Sequence, residues 1–373
     1  MYINKRHETA YSPIGIDIGT RSVNIVQLAS SSSGGLYMHE ADIMMLPDDN
    51  IGEGTVLPDV LTKVLKQGNF RGKEVVTRMP ASFVSIIPVK ISLRDNETIE
   101  QAILRESKEY IPYPVEEAVI DYLPVSSVTE GSDEARKVLL IFTRRSDVVN
   151  YLNIFKKVGL KVKAIDIGPN AINRAIKKFR DPSERRILVL NIGNLNSFST
   201  ILWDDIILID RKMGWGENNI TEKMVSNLDI DINEAREFLH RYGVDWSFAP
   251  RIMIDDETCV MSDGDIPAQL YEIVSPALEE LNKEIEKILI YCTSEMKGAM
   301  IDQIYIIGSG GLLKHLNAYV HKSFGIGVKP FDPDLIFSHV ETLKETVKDN
   351  FPIFVIAIGL ALRGFDTQCA IMN

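Results

Sequence analysis

Three glycine-containing turns are the part of the sequence best suited to chemistry, because each follows an apolar run of strand length. The turns are Asp17-Ile18-Gly19-Thr20-Arg21-Ser22, Asn191-Ile192-Gly193-Asn194 and Gly308-Ser309-Gly310-Gly311. Glycine lets backbone amides approach an anion closely, and successive turn amides can form a concave anion site. Two such turns facing each other could hold a triphosphate, the third could pack against a nucleoside, and Asp17 could hold a hydrated Mg²⁺. Any one turn alone is more typical of an ordinary α/β protein, but the three in this order favour a nucleotide site.

An approximate internal repeat accounts for two of these turns. Each half of the chain has the pattern of strand, glycine turn, strand, turn, strand, in apolar segments of strand length. The first copy covers 14–19, 23–28 and 36–46, and the second covers 187–193, 198–203 and 206–210. Two copies of a three-stranded meander, one in each half, predict a duplicated α/β architecture.

Two insertions extend this repeated framework. Residues 75–158 have the pattern of a small α/β module, with a helix expected to begin at Asn96. Residues 211–275 form the second insertion, and a long helix is expected to begin at Ser275-Pro276. The predicted parts of the chain are an N-terminal tail at 1–12, a first lobe at 13–180 that contains the insertion 75–158, a second lobe at 181–350 that contains the insertion 211–275, and a C-terminal helix at 351–373 that packs back on the core.

The composition is that of an ordinary globular chain, and it narrows the classes of function. The 373 residues include 41 Lys and Arg against 52 Asp and Glu, which gives a formal net charge of -11. Broad binding to the phosphate backbone of nucleic acid needs a positive surface, so nucleic acid is not an expected partner. The three cysteines and six histidines are too scattered to form a metal or redox motif.

The sequence predicts neither a signal peptide nor a membrane-spanning helix. Residues 1–12 are polar, without the apolar run of a secretory signal. The longest apolar stretch, 351–362, has about 12 residues, whereas a membrane helix requires roughly 20. We therefore expect this stretch to be a buried helix, and the chain to be cytoplasmic unless a partner brings it to a membrane.

Together the three turns resemble the phosphate-1, phosphate-2 and adenosine motifs of the actin, Hsp70 and sugar-kinase superfamily. Further segments resemble the PilM family of type IV pilus assembly proteins, relatives of the cell-division protein FtsA. These segments are 14–23, 110–117 with Asp121-Tyr122, 214–218 with Ile220-Thr221 and Glu234-Ala235, and 357–364. The resemblance covers roughly 13–365, and Tyr110-Ile111-Pro112-Tyr113-Pro114 and Gly359-Leu360-Ala361-Leu362-Arg363 are its specific parts.

The resemblance implies a two-lobed, duplicated actin-like (ribonuclease H-like) α/β fold with an inserted small α/β subdomain. It also implies a site for ATP and Mg²⁺, with the metal held by Asp17. The residues implied in nucleotide binding are Asp17, Gly19, Thr20, Arg21, Ser22, Asn191, Gly193, Asn194, Gly214, Gly216, Gly308, Ser309, Gly310 and Gly311. Trp215, between two of these glycines, is either a ligand-stacking side chain or an aromatic residue that covers the core. No catalytic residue is assigned.

Several positions depart from the superfamily pattern. Asn24 stands where a lysine usually reaches the phosphates, and Asn191 stands where an aspartate usually helps to hold Mg²⁺ and water. Gly168 precedes Pro169 where an acidic residue is common, and 234–239 lacks the usual lysine of the adenosine-side helix. These changes remove a cation from the triphosphate site and a hard oxygen ligand from Mg²⁺, although Arg21 could restore some positive charge. We expect ATP and Mg²⁺ to be able to bind, with an affinity that these changes weaken, and hydrolysis to be slow or absent; a complete loss of binding is left open.

The inserted module is the expected partner-binding region. In PilM-like proteins, a cleft between this module and the first core domain receives the short N-terminal cytoplasmic segment of the single-span membrane protein PilN. An extended peptide would be recognised there by apolar pockets and backbone hydrogen bonds. The candidate peptide-binding residues are Ile86, Ile87, Val89, Ile91, Leu104 and Tyr110. The alternative is that these side chains simply fill the core of the module.

The resemblance implies a protein that lies under the inner membrane, binds a PilN-like tail and couples it to pilus motor or platform proteins. Whether the chain also forms homo-oligomers is left open. A small-molecule kinase of the same superfamily is one alternative, but it would need a catalytic carboxylate near the γ-phosphate, which Asn191 and Gly168 do not supply. An FtsA-like filament-forming protein is another. Such proteins typically carry a C-terminal amphipathic membrane helix, and the residues after Arg363 are not patterned as one.

Overall fold

The computed structural model describes residues 10–30, 35–46, 56–125, 135–244, 266–333, 337 and 343–365. Two compact units divide the chain between them. Unit 1 comprises Met1–Ser183, Thr200–Arg211 and Asp332–Asn373, and unit 2 comprises Glu184–Ser199 and Lys212–Phe331.

Strands and helices alternate along most of the chain. The strands are β1 (Ala10–Tyr11), β2 (Ile14–Ile18), β3 (Ser22–Ser30), β4 (Leu36–Met45), β5 (Glu74–Arg78), β6 (Val84–Ser92), β7 (Ala118–Val125), β8 (Ala135–Arg144), β9 (Lys161–Asp166), β10 (Arg186–Ile192), β11 (Ser197–Trp203), β12 (Ile206–Met213), β13 (Gln303–Gly308) and β14 (Gly327–Lys329). The helices are α1 (Val56–Gln67), α2 (Ile99–Ser107), α3 (Arg145–Lys157), α4 (Gly168–Phe179), α5 (Asn218–Leu228), α6 (Ile232–Tyr242), α7 (Ile266–Glu295), α8 (Leu316–Phe324), α9 (Glu345–Lys348) and α10 (Phe351–Leu362).

The main sheet of unit 1 has the strand order β1-β3-β2-β5-β9, with β4 paired to β3. β2, β5 and β9 are parallel, whereas β3 is antiparallel to β1, β2 and β4. β2 is buried at every position, as expected for a parallel strand that is covered on both faces. Ile14, Ile16 and Ile25 of this sheet form one core with Leu61 of α1 and Phe155 of α3.

Helix α10 lies at the buried centre of unit 1, where it packs on α4, β2 and β3. Its residues from Phe354 to Leu362 are all buried. Two glycines allow the close approach: a Cβ on Gly15 would lie 2.7 Å from the amide nitrogen of Ala361, and one on Gly359 would lie 2.9 Å from the Cα of Ala171. Because no larger residue fits at either contact, β2 and α10 both carry glycine there.

Unit 1 contains two segments from the second half of the chain in addition to most of the first half. Residues 200–211 fall in unit 1, although the sequence places them in the second lobe. The turn between β11 and β12 is held against α4, because the Asp205 carboxylate accepts hydrogen bonds from Lys177 at 2.6 Å and from Arg180 at 2.9 Å.

The segment before α10 also falls in unit 1 rather than in the second lobe. Lys344 Nζ lies 2.7 Å from Glu40 Oε1 on β4. The rings of Phe337 and Phe351 pack edge to face, with their centroids 6.1 Å apart. These contacts attach the segment to the β4 and α10 side of unit 1.

A second, antiparallel sheet in unit 1 forms a small module in the order β6-β8-β7. It has its own apolar core, in which Val89 and Ile91 of β6 pack with Ala102 and Ile103 of α2. The module is narrower than the predicted range 75–158. β5 pairs with β2 and β9 in the main sheet, and α3 contributes to the main core.

The start of α2 differs from the expected one. Thr98 is the N-cap, because its side chain accepts a hydrogen bond from the Gln101 amide while the Gln101 side chain accepts one from the Thr98 amide. Asn96 lies before the helix, in the left-handed region with φ of 61°. The predicted cap at Asn96 is therefore wrong by two residues.

In unit 2, β10, β13 and β14 form a parallel sheet, and α5 packs on α6 and α7. Helix α7 continues through Pro276, so the predicted helix start at Ser275-Pro276 is wrong. The Ser275 hydroxyl donates to the Glu272 carbonyl at 3.2 Å, an acceptor that Pro276 cannot use because it has no N–H. None of the described helices is long and apolar enough to cross a membrane.

Candidate functional site

The first glycine turn joins β2 to β3 in unit 1 and is closed by its own hydrogen bonds. The Gly19 amide donates to the Ser22 carbonyl at 2.8 Å, and the Ser22 hydroxyl donates to Asn24 Oδ1 at 3.0 Å. The Arg21 carbonyl accepts from the Leu46 amide at 2.7 Å. The Gly19 amide is thus engaged inside the turn and is not available to a phosphate group.

The charged group of this turn is Asp17, and its partner is an arginine. Asp17 is 4% exposed, and its Oδ1 accepts a hydrogen bond from Arg78 Nε at 2.6 Å. The side chain of Arg78 is 13% exposed. A close, largely buried ion pair therefore lies at the end of β2.

Arg78 is a site residue that the sequence motifs do not reveal. β5 runs parallel to β2, with Ile16 paired to Thr77, so that Arg78 and Asp17 follow at the same edge of the sheet. Asn24 lies opposite Asp17 on the other neighbouring strand, β3. The only sequence signal for Arg78 is a cation at the end of an apolar run, and it becomes informative once β5 is known to be the neighbour of β2.

Asp210 on β12 and Tyr151 on α3 share the electrostatic environment of Arg78. Burial raises the pKa of the Asp210 carboxyl to about 6, opposed by a hydrogen bond from the Thr200 hydroxyl at 2.7 Å and by the charge of Arg78. Burial also raises the pKa of Tyr151 above its ordinary value, and its hydroxyl lies 2.7 Å from that of Thr77. Arg78 is therefore bound to Asp17, and its charge also acts on a carboxyl that titrates near neutrality and on a buried phenol.

The sequence predicts a Mg²⁺ ion held by Asp17, but the residues around Asp17 do not fit such an ion. An ion bound to the Asp17 carboxylate would lie beside a guanidinium of the same sign, and the neighbouring Asn24 adds no charge. Across the described residues, no three His, Cys, Asp or Glu side chains are grouped so that they could hold a metal. The first turn thus offers an arginine where a metal was expected.

The second and third glycine turns meet in unit 2. Gly308 has a positive φ of 74°, and a Cβ there would lie 2.7 Å from Asn191 Oδ1 and closer still to the Ile192 carbonyl. A Cβ on Gly310 would overlap the Ile192 side chain, and the Ser309 hydroxyl donates to the Ile192 carbonyl at 3.3 Å. Glycine is required in the third turn because the second turn packs directly against it.

The segment after β12 packs against the second of these turns. The amides of Glu217 and Asn218 donate to the carbonyls of Gly193 and Asn194, at 3.0 Å and 2.9 Å. A Cβ on Gly216 would lie 2.5 Å from the Asn194 carbonyl oxygen. Unit 2 therefore assembles all of its predicted nucleotide-binding residues in one place: Asn191, Gly193, Asn194, Gly214, Gly216, Gly308, Ser309, Gly310 and Gly311 lie in three neighbouring turns.

Trp215 is a core residue and not a ligand-stacking one. It is 1% exposed, and its indole N–H donates to the Ala277 carbonyl of α7 at 2.8 Å. The adjacent Gly214 amide donates to the Glu284 carboxylate of the same helix at 3.2 Å. Glu217, two residues after Trp215, is buried, and its Oε1 lies 3.1 Å from His240 Nε2 on α6. α6 and α7 thus hold this loop in place.

The predicted peptide-binding residues do not form one surface. Val89 and Ile91 are 3% and 1% exposed and fill the module core, so a peptide cannot reach them. Ile87 also packs against this core, whereas Ile86 points to the opposite face of the sheet because side chains alternate along a strand. Two apolar side chains remain well exposed on the α2 side: those of Leu104 and Tyr110, at 49% and 42%.

The chain matches one family model over residues 15–244 and 255–365. The model is described as "Type IV pilus assembly protein PilM". The match covers most of both units, including the β6-β8-β7 module of unit 1. The sequence-based recognition of this family is confirmed.

Two solved structures with TM-scores above 0.5 confirm the actin-like fold, and a third is similar at a lower score. A structure titled "PilM-PilN type IV pilus biogenesis complex" has a TM-score of 0.77 at 22% identity, covering 95% of this chain and 99% of that chain. The ethanolamine utilization protein EutJ from Carboxydothermus hydrogenoformans has a TM-score of 0.52 at 13% identity, covering 95% of this chain and 89% of that chain. MreB5 of Spiroplasma citri, bound to ADP, has a TM-score of 0.47 at 14% identity, covering 93% and 94%.

Proposed function

The chain belongs to the PilM family of type IV pilus assembly proteins, and from this premise we propose that it binds the cytoplasmic tail of a PilN-like inner-membrane protein. The β6-β8-β7 module would receive the tail. The bound protein would lie at the cytoplasmic side of the inner membrane, where it would couple its partner to pilus motor or platform proteins. The role is that of a binding and scaffolding component.

The observation that carries this proposal is the surface of the module. Its core is already filled by α2 and β6, yet Leu104 and Tyr110 leave large apolar groups in water. Tyr110 belongs to the Tyr110-Ile111-Pro112-Tyr113-Pro114 segment on which the family resemblance depends. An exposed apolar group beside a completed core is suited to contact with a partner.

An extended tail could also add to the module through backbone hydrogen bonds. In the described sheet, β6 and β7 each pair with β8 alone, so each has one unpaired edge. Strand addition at such an edge is a common mode of peptide recognition. Pro88 in β6 and Pro124 in β7 each remove one donor from the ladder and limit the positions at which a tail can pair.

A direct binding measurement tests the proposal. A labelled synthetic peptide with the N-terminal residues of the PilN-like protein would be titrated with the full chain and followed by fluorescence anisotropy. Leu104→Ser and Tyr110→Ser should each weaken binding about tenfold or more, because each removes an apolar contact of about 1–3 kcal/mol. Ile290→Ser, which changes a side chain that is 65% exposed in unit 2, is the matched control.

The outcomes separate the proposal from its alternatives. Loss of binding in the module variants alone supports the α2 side as the docking surface. Unchanged binding in Leu104→Ser, Tyr110→Ser and the control would contradict it. In that case Ile86→Ser, on the opposite face of the sheet, becomes the variant to measure.

We also infer an ATP-type nucleotide site with slow or absent hydrolysis. The inference is supported by the three neighbouring glycine turns of unit 2 and by the lack of a carboxylate at Asn191. Calorimetric titration with ATP, with phosphate release measured in parallel, tests it. Binding without turnover supports the inference, and turnover at ordinary enzyme rates contradicts it and favours the kinase alternative. Electron microscopy with nucleotide tests the filament-forming alternative.

A further inference from the structure

We propose that Arg78 is a phosphoryl-binding residue and that Asp17 is its positioning residue, so that nucleotide binding by this chain does not depend on a divalent cation. The inference rests on the proposed nucleotide binding. It is argued from the contacts of Arg78 and Asp17 within unit 1 alone. It also reverses the role expected of Asp17, from metal ligand to anchor of an arginine.

The hydrogen bonds of Arg78 leave most of its donors unused. Its Nε donates to Asp17 Oδ1 at 2.6 Å. Among the residues that the structure describes, Asp17 is the only hydrogen-bond or ion-pair partner of the Arg78 side chain. The two terminal nitrogens of the guanidinium, with four N–H groups, remain for a ligand.

The position of Arg78 suits an anion. With 13% of its side chain exposed, it is largely removed from water, where a charge-assisted hydrogen bond is stronger. Its anchoring by Asp17 fixes the orientation of the planar group before a ligand arrives, which reduces the entropy lost on binding. Gly168, at the start of α4, lies next to Arg78, since a Cβ on it would be 3.9 Å from Arg78 Cδ. Because glycine has no side chain, this position does not cover the arginine.

The same geometry explains the substitution at Asn24. By resemblance, the superfamily places a cation at that position, on the β3 side of Asp17. This chain has a cation on the other side, from β5. Arg78 therefore replaces the missing lysine from the opposite neighbouring strand, and its fork of donors matches two phosphate oxygens.

Independence from Mg²⁺ follows from charge. A divalent cation at Asp17 would have to displace Arg78 from its only described partner or lie within a few ångströms of its positive charge. Free ATP carries more negative charge than its Mg²⁺ complex and is the better ligand for an arginine. We expect ATP to bind in EDTA at least as tightly as it binds with Mg²⁺.

The test is calorimetry on the full chain with ATP and, separately, with pyrophosphate, each in EDTA and in Mg²⁺. For the wild-type chain we expect dissociation constants in EDTA equal to or below those in Mg²⁺. Arg78→Gln should weaken binding of both ligands about tenfold or more, the effect of losing a charge-assisted hydrogen bond. Arg78→Lys should be intermediate, because lysine retains the charge and loses the fork. Arg136→Gln, at an exposed position of the module, is the matched control.

A second variant keeps the test valid if Arg78→Gln unfolds. Asp17→Asn/Arg78→Gln removes both charges and leaves no unpaired carboxylate, and its folding is checked by circular dichroism. It should lose ATP and pyrophosphate binding while it keeps the affinity of the wild-type chain for the PilN-like peptide. Loss of peptide binding in every variant would count against the docking proposal, and it would leave the arginine proposal to the ATP and pyrophosphate data.

Three results would overturn the arginine proposal. The first is wild-type binding of ATP that EDTA weakens more than about tenfold, as a metal-bridged site requires. The second is a folded Arg78→Gln chain with unchanged affinity. The third is no binding of either ligand. Arginine-dependent binding of pyrophosphate with no added affinity for ATP would support a phosphate site and argue against a nucleoside contact.

Discussion

The two copies of the internal repeat keep the same backbone plan but stabilise their glycine turns by different forces. In the turn after β2, a buried charge pair between Asp17 and Arg78 dominates. In the turn after β10, neutral Asn191 lies against Gly308, and backbone packing dominates. Side-chain electrostatics and chemistry are therefore expected to belong to the first turn, and steric requirements to the second and third.

The steric requirement for glycine in the third turn predicts the largest effect on stability. Gly308→Ala would force a Cβ against the Ile192 carbonyl at a φ of 74°, which L-residues rarely adopt. We expect a loss of about 3 kcal/mol or more in the free energy of unfolding. In Gly19→Ala, the new Cβ would lie 3.2 Å from the Ser22 carbonyl, and a loss of about 1 kcal/mol or less is expected. Urea denaturation measures both, and equal losses would contradict the comparison.

The ion pair between Asp17 and Arg78 predicts the next largest effect on stability, in the variant Arg78→Gln. This change leaves the Asp17 carboxylate largely buried without its cation, which should cost about 2–4 kcal/mol of unfolding free energy at neutral pH. Asp17→Asn/Arg78→Gln should recover much of that loss, because no unpaired charge remains. A double-mutant cycle by urea denaturation measures the coupling. Additive effects of the two changes would show that the pair has no special role.

The pH dependence of stability should also belong to the surroundings of the first turn. Because the pKa of Asp210 is raised to about 6, the folded chain binds more protons than the unfolded chain between about pH 4 and pH 6. Stability therefore falls as the pH rises through that window, and the penalty is complete above it. Asp210→Asn, which keeps an acceptor for the Thr200 hydroxyl, should stabilise the chain by about 1–2 kcal/mol at pH 8 and by almost nothing at pH 4.

Asp302 in unit 2 is the matched control for the pH prediction, with the opposite sign. Burial raises the pKa of Asp302, but hydrogen bonds from the Arg186 side chain and amide outweigh it and lower the pKa. Asp302→Asn should thus lose stability at neutral pH, and this loss should disappear as the pH falls. Thermal unfolding from about pH 2 to pH 8 measures both variants, because the effect of Asp302 is lost only below about pH 4. The same sign in both variants would contradict the electrostatic assignment.

The sequence allowed the backbone plan to be predicted, because periodicity and glycine placement are local signals. The repeat at 14–19 and 187–193 corresponds to β2 and β10, each followed by a glycine turn. Local signals failed where two of them competed. Asn96 and Thr98 are both good N-caps, and the Gln101 side chain decides for Thr98. Pro276 has the pattern of a helix start, but the Ser275 hydroxyl allows α7 to continue through it.

The charged site could not be predicted from the motifs, because it depends on which strands are neighbours. Asp17 and Arg78 are 61 positions apart and meet only because β5 joins β2 in parallel. The predicted peptide-binding residues lie on different faces of the module for a related reason. Ile86 and Val89 are close in sequence, but strand alternation places them on opposite faces, and only the fold shows that the Val89 face is filled by α2.

The smallest effects on stability are expected for two serines, Ser22 in the first turn and Ser309 in the third. The Ser22 hydroxyl donates to Asn24 Oδ1 at 3.0 Å, and Asn24 is buried, so Ser22→Ala should cost about 1 kcal/mol of unfolding free energy. The Ser309 hydroxyl makes a longer bond, 3.3 Å, to the Ile192 carbonyl, and Ser309→Ala should cost about 0.5 kcal/mol or less. Urea midpoints at constant slope resolve a difference of this size when the two variants are measured side by side. A larger loss in Ser309→Ala would show that side-chain hydrogen bonding stabilises the third turn as well, and the contrast between the two regions would then be confined to charge.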